Sequence, residues 1–308
     1  MEERLRSTVF GLDVYADRAY PYLAGATAAP TGRRLELALR RGASRGVWDP
    51  AAEPISDERD PEGRGAFRIE VGRRGYRIAG PAYGETLLDE AGSRASGCLD
   101  GAALSGWQRM LIAQALPFAA VLHGLEVFHA SAVVLGERAV LLTGPSGTGK
   151  SSLALALRRR GAGFLADDVV AVGRRGEEPI AHPGTPVASV SSAEAARLPT
   201  GVEGGVLGED GRETMITITP LAAPAPLGSL FVLEREGAEG EVRFEPVTDP
   251  RLLLASTFNL LLRDPGRLLR LLDLCAALSR RRCERIVFGP AVAPEDLATL
   301  IEERVEAG

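Results

Sequence analysis

The chain has 308 residues, 45% of them hydrophobic and 25% charged, with a formal net charge of −5. That balance describes a globular chain with a sizeable core and room for two domains, and it excludes disordered, collagen-like and coiled-coil architectures. The acidic excess argues against a general nucleic-acid binder. Met-Glu-Glu-Arg-Leu-Arg at the start lacks the apolar run of a secretory signal. The longest apolar stretches, 115–122 and 252–262, are too short or too polar to span a bilayer, so neither membrane nor nucleic acid is an expected partner. Cys98, Cys275 and Cys283 show neither paired nor metal-binding spacing and read as thiols in a reducing, cytoplasmic setting. Among 36 basic residues only Lys150 is a lysine. A compact ammonium on a thin stem is retained where a planar guanidinium fork will not serve, which marks Lys150 as a candidate for chemistry.

Residues 1–100 read as a β-rich region. Thr8–Tyr15 and Arg34–Leu39 alternate apolar and polar residues with the period of half-buried strands. Ala66–Val71 and Tyr76–Ala79 do the same around Gly72-Arg73-Arg74-Gly75, a hairpin signature. Residues 49–65, rich in Pro, Gly, Asp and Glu, read as a loop. A composition break at 92–101 starts a second domain, 101–308. It opens with a largely apolar helix from Leu104 to Leu122, in which Trp107, Met110, Leu111, Ala115 and Phe118 form a packing stripe.

Two strands follow, Glu126–Leu135 and Arg138–Thr143, around Gly136-Glu137. A glycine-rich loop leads into a helix from Lys150 to about Arg160, closed by Gly161-Ala162-Gly163. Phe164-Leu165-Ala166 forms a short strand ending in Asp167-Asp168. Further strands are expected at Val169–Gly173, Pro179–His182, Met215–Thr219, Leu230–Glu234 and Ile286–Phe288. The acidic, glycine-rich stretch 199–213 is long enough to be a lid. Helices are expected at Arg251–Arg263 and Arg267–Arg280, each after an Asp-Pro pair, and at Pro294–Val305. The basic run Arg280-Arg281-Arg282 with Arg285 reads as a solvated helix end.

The loop Gly144-Pro145-Ser146-Gly147-Thr148-Gly149-Lys150-Ser151 fits G-x-x-x-x-G-K-[ST] at every fixed position, between an apolar strand and a good helix. Its glycines let successive N–H groups face phosphates, and the helix N-terminus adds its positive dipole end. Lys150 is spaced to reach β- and γ-phosphate oxygens, and the Ser151 hydroxyl to coordinate Mg²⁺, with Ser152 in the same first turn. Because one helix and one short strand separate the loop from Asp167-Asp168, the acid pair stands beside the phosphate site. One of these carboxylates can hold Mg²⁺ while the other accepts a proton from an attacking hydroxyl. His129 lies on the strand whose hairpin partner runs into the loop, within reach of the phosphates or of Asp167. His123 and His182 read as ordinary structural histidines.

The run His129-Ala130-Ser131-Ala132-Val133, the loop 144–151, Arg160-Gly161 and Ala166-Asp167-Asp168 resemble the HPr kinase/phosphorylase family. They are most similar to its shorter bacterial relatives, which include serine kinases of lasso-peptide and other natural-product pathways. The resemblance implies an α/β fold: a P-loop kinase domain of the HPr kinase/phosphoenolpyruvate carboxykinase type, a mixed sheet with flanking helices, after the β-rich N-terminal region. It implies Mg·ATP-dependent phosphorylation of a hydroxyl, serine above all, on a peptide or small-molecule acceptor, with ATP and Mg²⁺ bound and assembly of like chains allowed. Carried over by motif, His129 and Lys150 are catalytic, Asp167 is the general base, and Asp168 with Ser151 serves the metal. Gly211-Arg212 falls where relatives have a glycine-lysine step, which makes Arg212 a second phosphate clamp. The E-x-R-G-[LI]-G-I signature of HPr kinases has no counterpart between residues 173 and 220. That departure favours an acceptor other than HPr and argues against the reverse, phosphorylase reaction. The alternatives are a nucleotide-sensing or peptide-binding module without transfer, and an HPr-type kinase/phosphorylase.

Overall fold

The computed structural model describes residues 5–40, 48–59, 65–191, 195, 206–209, 213–236, 238–247, 249, 251–258, 262 and 264–307. The chain divides into two units, Met1–Leu125 and Glu126–Gly308.

The first unit is built on an eight-stranded sheet of β1 (Leu5–Val9), β2 (Leu12–Ala16), β3 (Arg34–Arg40), β4 (Glu53–Arg59), β5 (Gly65–Gly72), β6 (Gly75–Gly80), β7 (Gly84–Leu88) and β8 (Arg94–Cys98). Their order is β1-β2-β3-β8-β7-β6-β5-β4. The alternating stretch Thr8–Tyr15, read as one strand, is a hairpin. Phe10 and Gly11 take φ values of 53° and 73°, the positive pair of a two-residue turn, and Val9 faces Leu12 across it. Residues 49–65 are not all loop, because β4 lies inside them. Its Pro54 is tolerated since β4 is an edge strand, bonded to β5 alone. The β5–β6 hairpin falls where the sequence puts it.

The apolar stretch after β8 is helical throughout but in three pieces: α1 (Leu104–Met110), a π turn (Leu111–Ala115) and α2 (Leu116–Leu122). Pro117 explains the break. It has no N–H to donate and its ring crowds the carbonyl four residues back, and the wider turn, with Leu116 N–H bonded to Leu111 O, accommodates it. Trp107 is fully buried, and its Nε1–H donates to Glu85 O (3.1 Å) and Thr86 Oγ1 (3.0 Å). Gly97 of β8 is required here, since a methyl group on it would lie 2.1 Å from the Trp107 ring. The helix therefore belongs to the first unit, and the boundary read at 100/101 falls instead at 125/126.

The second unit is mixed α/β. Its main sheet has β9 (Glu126–Leu135), β10 (Arg138–Thr143), β11 (Gly163–Ala166), β12 (Val169–Arg175), β13 (Glu178–Ala181), β17 (Ala225–Glu234), β18 (Val242–Pro246) and β19 (Arg282–Phe288). The order is β10-β9-β12-β13-β17-β19-β18, with β11 beside β9 and a parallel pairing of β10 with β17 that curls the sheet back on itself. A small sheet, β14 (Val187–Ser191), β16 (Glu213–Thr217) and β15 (Val206–Glu209), completes the strands. The strands β14, β15 and β18 carry no clear sequence signal. The stretch 199–213 includes β15, and its remaining residues, apart from Glu213, lie outside the described residues; Gly211-Arg212 is among these.

On one face of the main sheet, α3 (Lys150–Arg159) and α6 (Pro294–Glu306) bury Leu153, Leu157, Leu297 and Ile301 against Val140, Phe231 and Phe288. On the other, α5 (Pro265–Ser279) buries Leu271, Leu274, Cys275 and Leu278 against Ala132, Leu141 and Val170. Asp264 caps α5, its carboxylate accepting from Arg267 N–H at 2.7 Å, as the Asp-Pro signal implies. The helix read at Arg251–Arg263 is described only as α4 (Arg251–Leu254). The following residues turn back to β9, where Phe258 N–H bonds Val127 O (2.7 Å) and His129 N–H bonds Ser256 O (2.7 Å). Arg280 is the exposed C-cap residue of α5, as the sequence reading has it, while Arg282 opens β19 and Arg285 pairs with Glu234 and Glu245. All three cysteines are free and buried; burial pushes the Cys275 thiol up to about 12 and the Cys283 thiol to about 11. Among the described residues no helix is long and apolar enough to cross a membrane.

Candidate active site

The site is assembled on β9 and β10. The period of two puts His129 and Ser131 on the face of β9 that also presents Val133 to α3. On β10, Thr143 ends the strand, and the loop 144–149 turns its backbone into the N-terminus of α3. Gly144 has a φ of +144°, and a side chain there would meet Leu233 O at 2.5 Å, so only glycine fits at the start of the turn. Gly149, the residue before α3, has a φ of +97° and provides no side-chain cap, which leaves the first N–H groups of α3 without a side-chain acceptor from their own cap position. Pro145, Ser146 and Gly147 are exposed, while Thr148 is buried and donates to Pro145 O at 2.8 Å. The uncapped turn is the arrangement that receives a phosphate.

Lys150 is 7% exposed and folds back over the loop, its Nζ donating to Gly144 O (2.9 Å) and Pro145 O (3.1 Å). Burial lowers the proton affinity of its ammonium, and the carboxylates of Asp168 and Asp167 oppose that effect. The amine is thus positioned at the loop by the two carbonyls that open it.

The acid pair interrupts the edge beside β9: β11 and β12 both pair with it, and Asp167-Asp168 lie between them. The two aspartates are placed differently. Asp167 is 7% exposed and accepts from Ser131 Oγ (2.5 Å), from Ser189 N–H (2.9 Å) and from the hydroxyl of Ser151. Burial, reinforced by the neighbouring Asp168 charge and opposed by those hydrogen bonds, holds the Asp167 carboxyl above the usual carboxylate range. Asp168 turns outward, its side chain half exposed, and His129 Nδ1 lies 3.2 Å from Asp168 Oδ1 and 2.9 Å from its main-chain oxygen. Asp168 has a φ of +65°, and Asp167 O accepts from Val169 N–H at 2.8 Å across it. That is a γ-turn with a non-glycine residue in left-handed backbone, a conformation a fold retains at cost and concentrates at functional positions.

The residues named from the sequence therefore converge, with two exceptions. Ser152 is placed only as a residue of the first turn of α3, and Arg212 lies outside the described residues. The residues suit Mg·ATP: uncapped N–H groups and a lysine for phosphate oxygens, and a serine hydroxyl beside a carboxylate, hard oxygen donors of the kind a small divalent cation takes. Sequence reasoning missed Ser189, Ser256 and Arg235, and it gave Ser131 no role. The Ser256 hydroxyl bonds that of Thr143, tying the turn after α4 to the start of the loop. Arg235 follows β17 directly, and its Nη2 lies 3.5 Å from where a Gly149 Cβ would be. Ser131 was legible as the residue two beyond His129. Ser189 and Ser256 come from distant segments with no motif.

The segment that carries these residues is also similar to known proteins. Residues 122–189, from the last residue of α2 into β14, match the family model of the HPr serine kinase C-terminal domain. This segment is similar to that domain, in line with the resemblance of its motifs. The HPr kinase/phosphorylase of Pelodictyon phaeoclathratiforme is 52% identical over 52 residues, 17% of this chain and 16% of the relative. Those of Chlorobium luteolum and Chlorobaculum tepidum are each 54% identical over 52 residues, 17% of this chain and 16% and 15% of the relatives. The chain thus aligns with only about a sixth of the length of these curated relatives. The structure of the Hpr(Ser) kinase/phosphatase from Coxiella burnetii is similar at 18% identity and a TM-score of 0.31, covering 59% of this chain and 94% of that one.

Proposed function

We propose that this chain is a Mg·ATP-dependent kinase with a P-loop kinase fold in its second unit, transferring the γ-phosphate to a hydroxyl of a peptide or small molecule, with serine the favoured acceptor. The observation that carries the reading is the meeting of Lys150, Ser151 and Asp167 at an uncapped glycine loop. Nucleotide binding alone needs the loop and the lysine; it does not need a buried carboxylate kept beside them. The family match over residues 122–189 supports the same chemistry.

In this reading the loop N–H groups and Lys150 hold the phosphate chain and stabilise charge on the transferred group. Ser151 and Asp168 would hold Mg²⁺, which would supply neutralisation of phosphate charge. Asp167 accepts the acceptor's hydroxyl proton. The hydroxyl oxygen bonds the γ-phosphorus, the bond from that phosphorus to the bridging oxygen breaks, and ADP leaves with the electron pair. The raised proton affinity of Asp167 suits a base. His129 orients Asp168 through its Nδ1.

The exposure of Asp168 favours a second division of labour, with Asp167 and Ser151 serving the metal and the Asp168–His129 pair taking the proton. An HPr-like protein acceptor is favoured by the family match, whereas the missing E-x-R-G-[LI]-G-I run favours a peptide or metabolite. The three buried free thiols support a reducing compartment such as the cytoplasm.

The test is transfer of labelled γ-phosphate from Mg·ATP into a fractionated lysate, with Lys150→Met, Asp167→Asn and Asp168→Asn as controls. Label that disappears with Lys150→Met is the expected result, and its mass fraction identifies the acceptor class. If Asp168→Asn stops transfer while Asp167→Asn only weakens metal binding, the second division of labour holds. Nucleotide binding without transfer to any fraction refutes the kinase reading.

A further inference from the structure

We infer that Arg235 is a nucleotide-binding residue that grips the phosphate chain from the flank opposite the acid pair; this rests on the kinase reading above. β10, which delivers the loop, lies between β9 and β17. β9 carries His129 and Ser131 and thereby defines the flank of Asp167. β17 runs parallel to β10, with Val232 opposite Thr143 and Leu233 O beneath Gly144. Arg235 leaves the carboxyl end of β17 level with the loop, which is where ligands sit on parallel strands.

Two contacts set its position. Its guanidinium carbon lies 5.5 Å from the ring centre of Phe288, a fully buried side chain, at cation–π distance. Its Nη2 stands 3.5 Å from the position a Gly149 Cβ would occupy, beside the uncapped N-terminus of α3. Arginines of β18, β19 and α6 are engaged otherwise. Arg285 pairs with Glu234 and Glu245, Arg304 with Glu284 and Arg243 with Glu241. Among the described residues Arg235 has no carboxylate, although Glu234 and Glu236 are its chain neighbours. A second positive group is therefore held at a phosphate loop with its donors uncommitted.

The direction of the phosphate chain follows from the reading. If the γ-phosphate faces Asp167, the phosphates nearer the nucleoside lie toward β17, within the reach of an arginine that bonds oxygens bidentately. Arg235 then grips a part of the nucleotide that ADP retains. It acts on affinity and leaves the proton transfer at Asp167 untouched.

Calorimetric titration of Mg·ATP, Mg·ADP and adenosine into the full chain tests this, comparing wild type with Arg235→Ala and Arg235→Lys. The expected result is a Kd about tenfold higher for both ATP and ADP in Arg235→Ala, the loss of charge-assisted hydrogen bonds, with partial recovery in Arg235→Lys. Unchanged ATP and ADP affinities overturn the inference, as does an equal loss for adenosine, which has no phosphate. A lower melting temperature of the nucleotide-free variant with unchanged affinity also overturns it, leaving Arg235 as a packing partner of Phe288. If wild type binds none of the three, the kinase reading itself fails; binding by wild type with no effect of Arg235→Ala removes only Arg235.

Discussion

Two aspartates, one in each unit, accept comparable sets of hydrogen bonds and come out oppositely. Asp89, in the turn between β7 and β8, accepts from Ser93 N–H and Ser93 Oγ (both 2.6 Å) and from Arg94 N–H (3.0 Å). Partial burial raises its pKa, but those bonds and the Arg94 charge outweigh burial and hold it below its ordinary value. Asp167 also accepts three hydrogen bonds, yet deeper burial and the adjacent Asp168 charge win, and its pKa is raised. A carboxylate with a lowered pKa stabilises the fold in its ionised form; one with a raised pKa costs stability when ionised. The first unit thus uses its acid as a fastener, and the second retains an acid at the expense of stability. Such a group is a candidate for chemistry.

Asp167→Asn is the strongest way to break that contrast. On the proposal that Asp167 is the general base, its loss lowers kcat by a factor on the order of 10²–10⁴ while Mg·ADP affinity, read by titration, changes little. Asp89→Asn leaves transfer unchanged. A transfer rate equal in Asp167→Asn and wild type removes Asp167 from the mechanism.

Buried charge in the second unit is not all catalytic, and Arg267 sharpens the distinction. It bonds both oxygens of Glu126, with side chains only 5% and 6% exposed, and also reaches Leu262 O (3.1 Å) and Phe258 O (3.4 Å). It therefore fastens the turn after α4 to the start of β9, three residues from His129. Arg267→Ala leaves the Glu126 carboxylate buried without its partner, at a cost of roughly 3–5 kcal/mol in denaturant unfolding. A cost below that of an ordinary surface substitution would show the pair to be dispensable.

Legibility in the sequence followed the same division. The β9–β10 hairpin, the loop, α3 and the short β11 before Asp167 are local and consecutive, and each matches its reading from periodicity and turn residues. The convergence of Lys150, Ser151 and Asp167 was legible for the same reason: one helix and one strand leave little freedom in how they meet. Ser189, Ser256 and Arg235 reach the site through pairings distant in sequence, and nothing in their own segments announces them. Of these, Arg235 leaves a trace, since a strand parallel to β10 has to end beside the loop. In the first unit, the Phe10-Gly11 turn stayed hidden because a two-residue hairpin keeps the apolar alternation on both sides. The helix Leu104–Leu122 went to the wrong unit because its partner is Gly97, whose role is an absent side chain.

The smallest expected effect is the pH response of Asp89. Its pKa is lowered in the folded chain, so its contribution is fully present above the unfolded value, near 3.8, and is lost as pH falls through the folded value. The stability gap between wild type and Asp89→Asn is therefore constant from neutral pH down to about 5, and it narrows as pH falls below the unfolded value. The magnitude is on the order of 1 kcal/mol, because the carboxylate is partly exposed and water screens it. Urea unfolding at a series of pH values measures the gap. One that widens with acid would mean that the Asp89 carboxylate is destabilised by folding, and the two aspartates would then be alike.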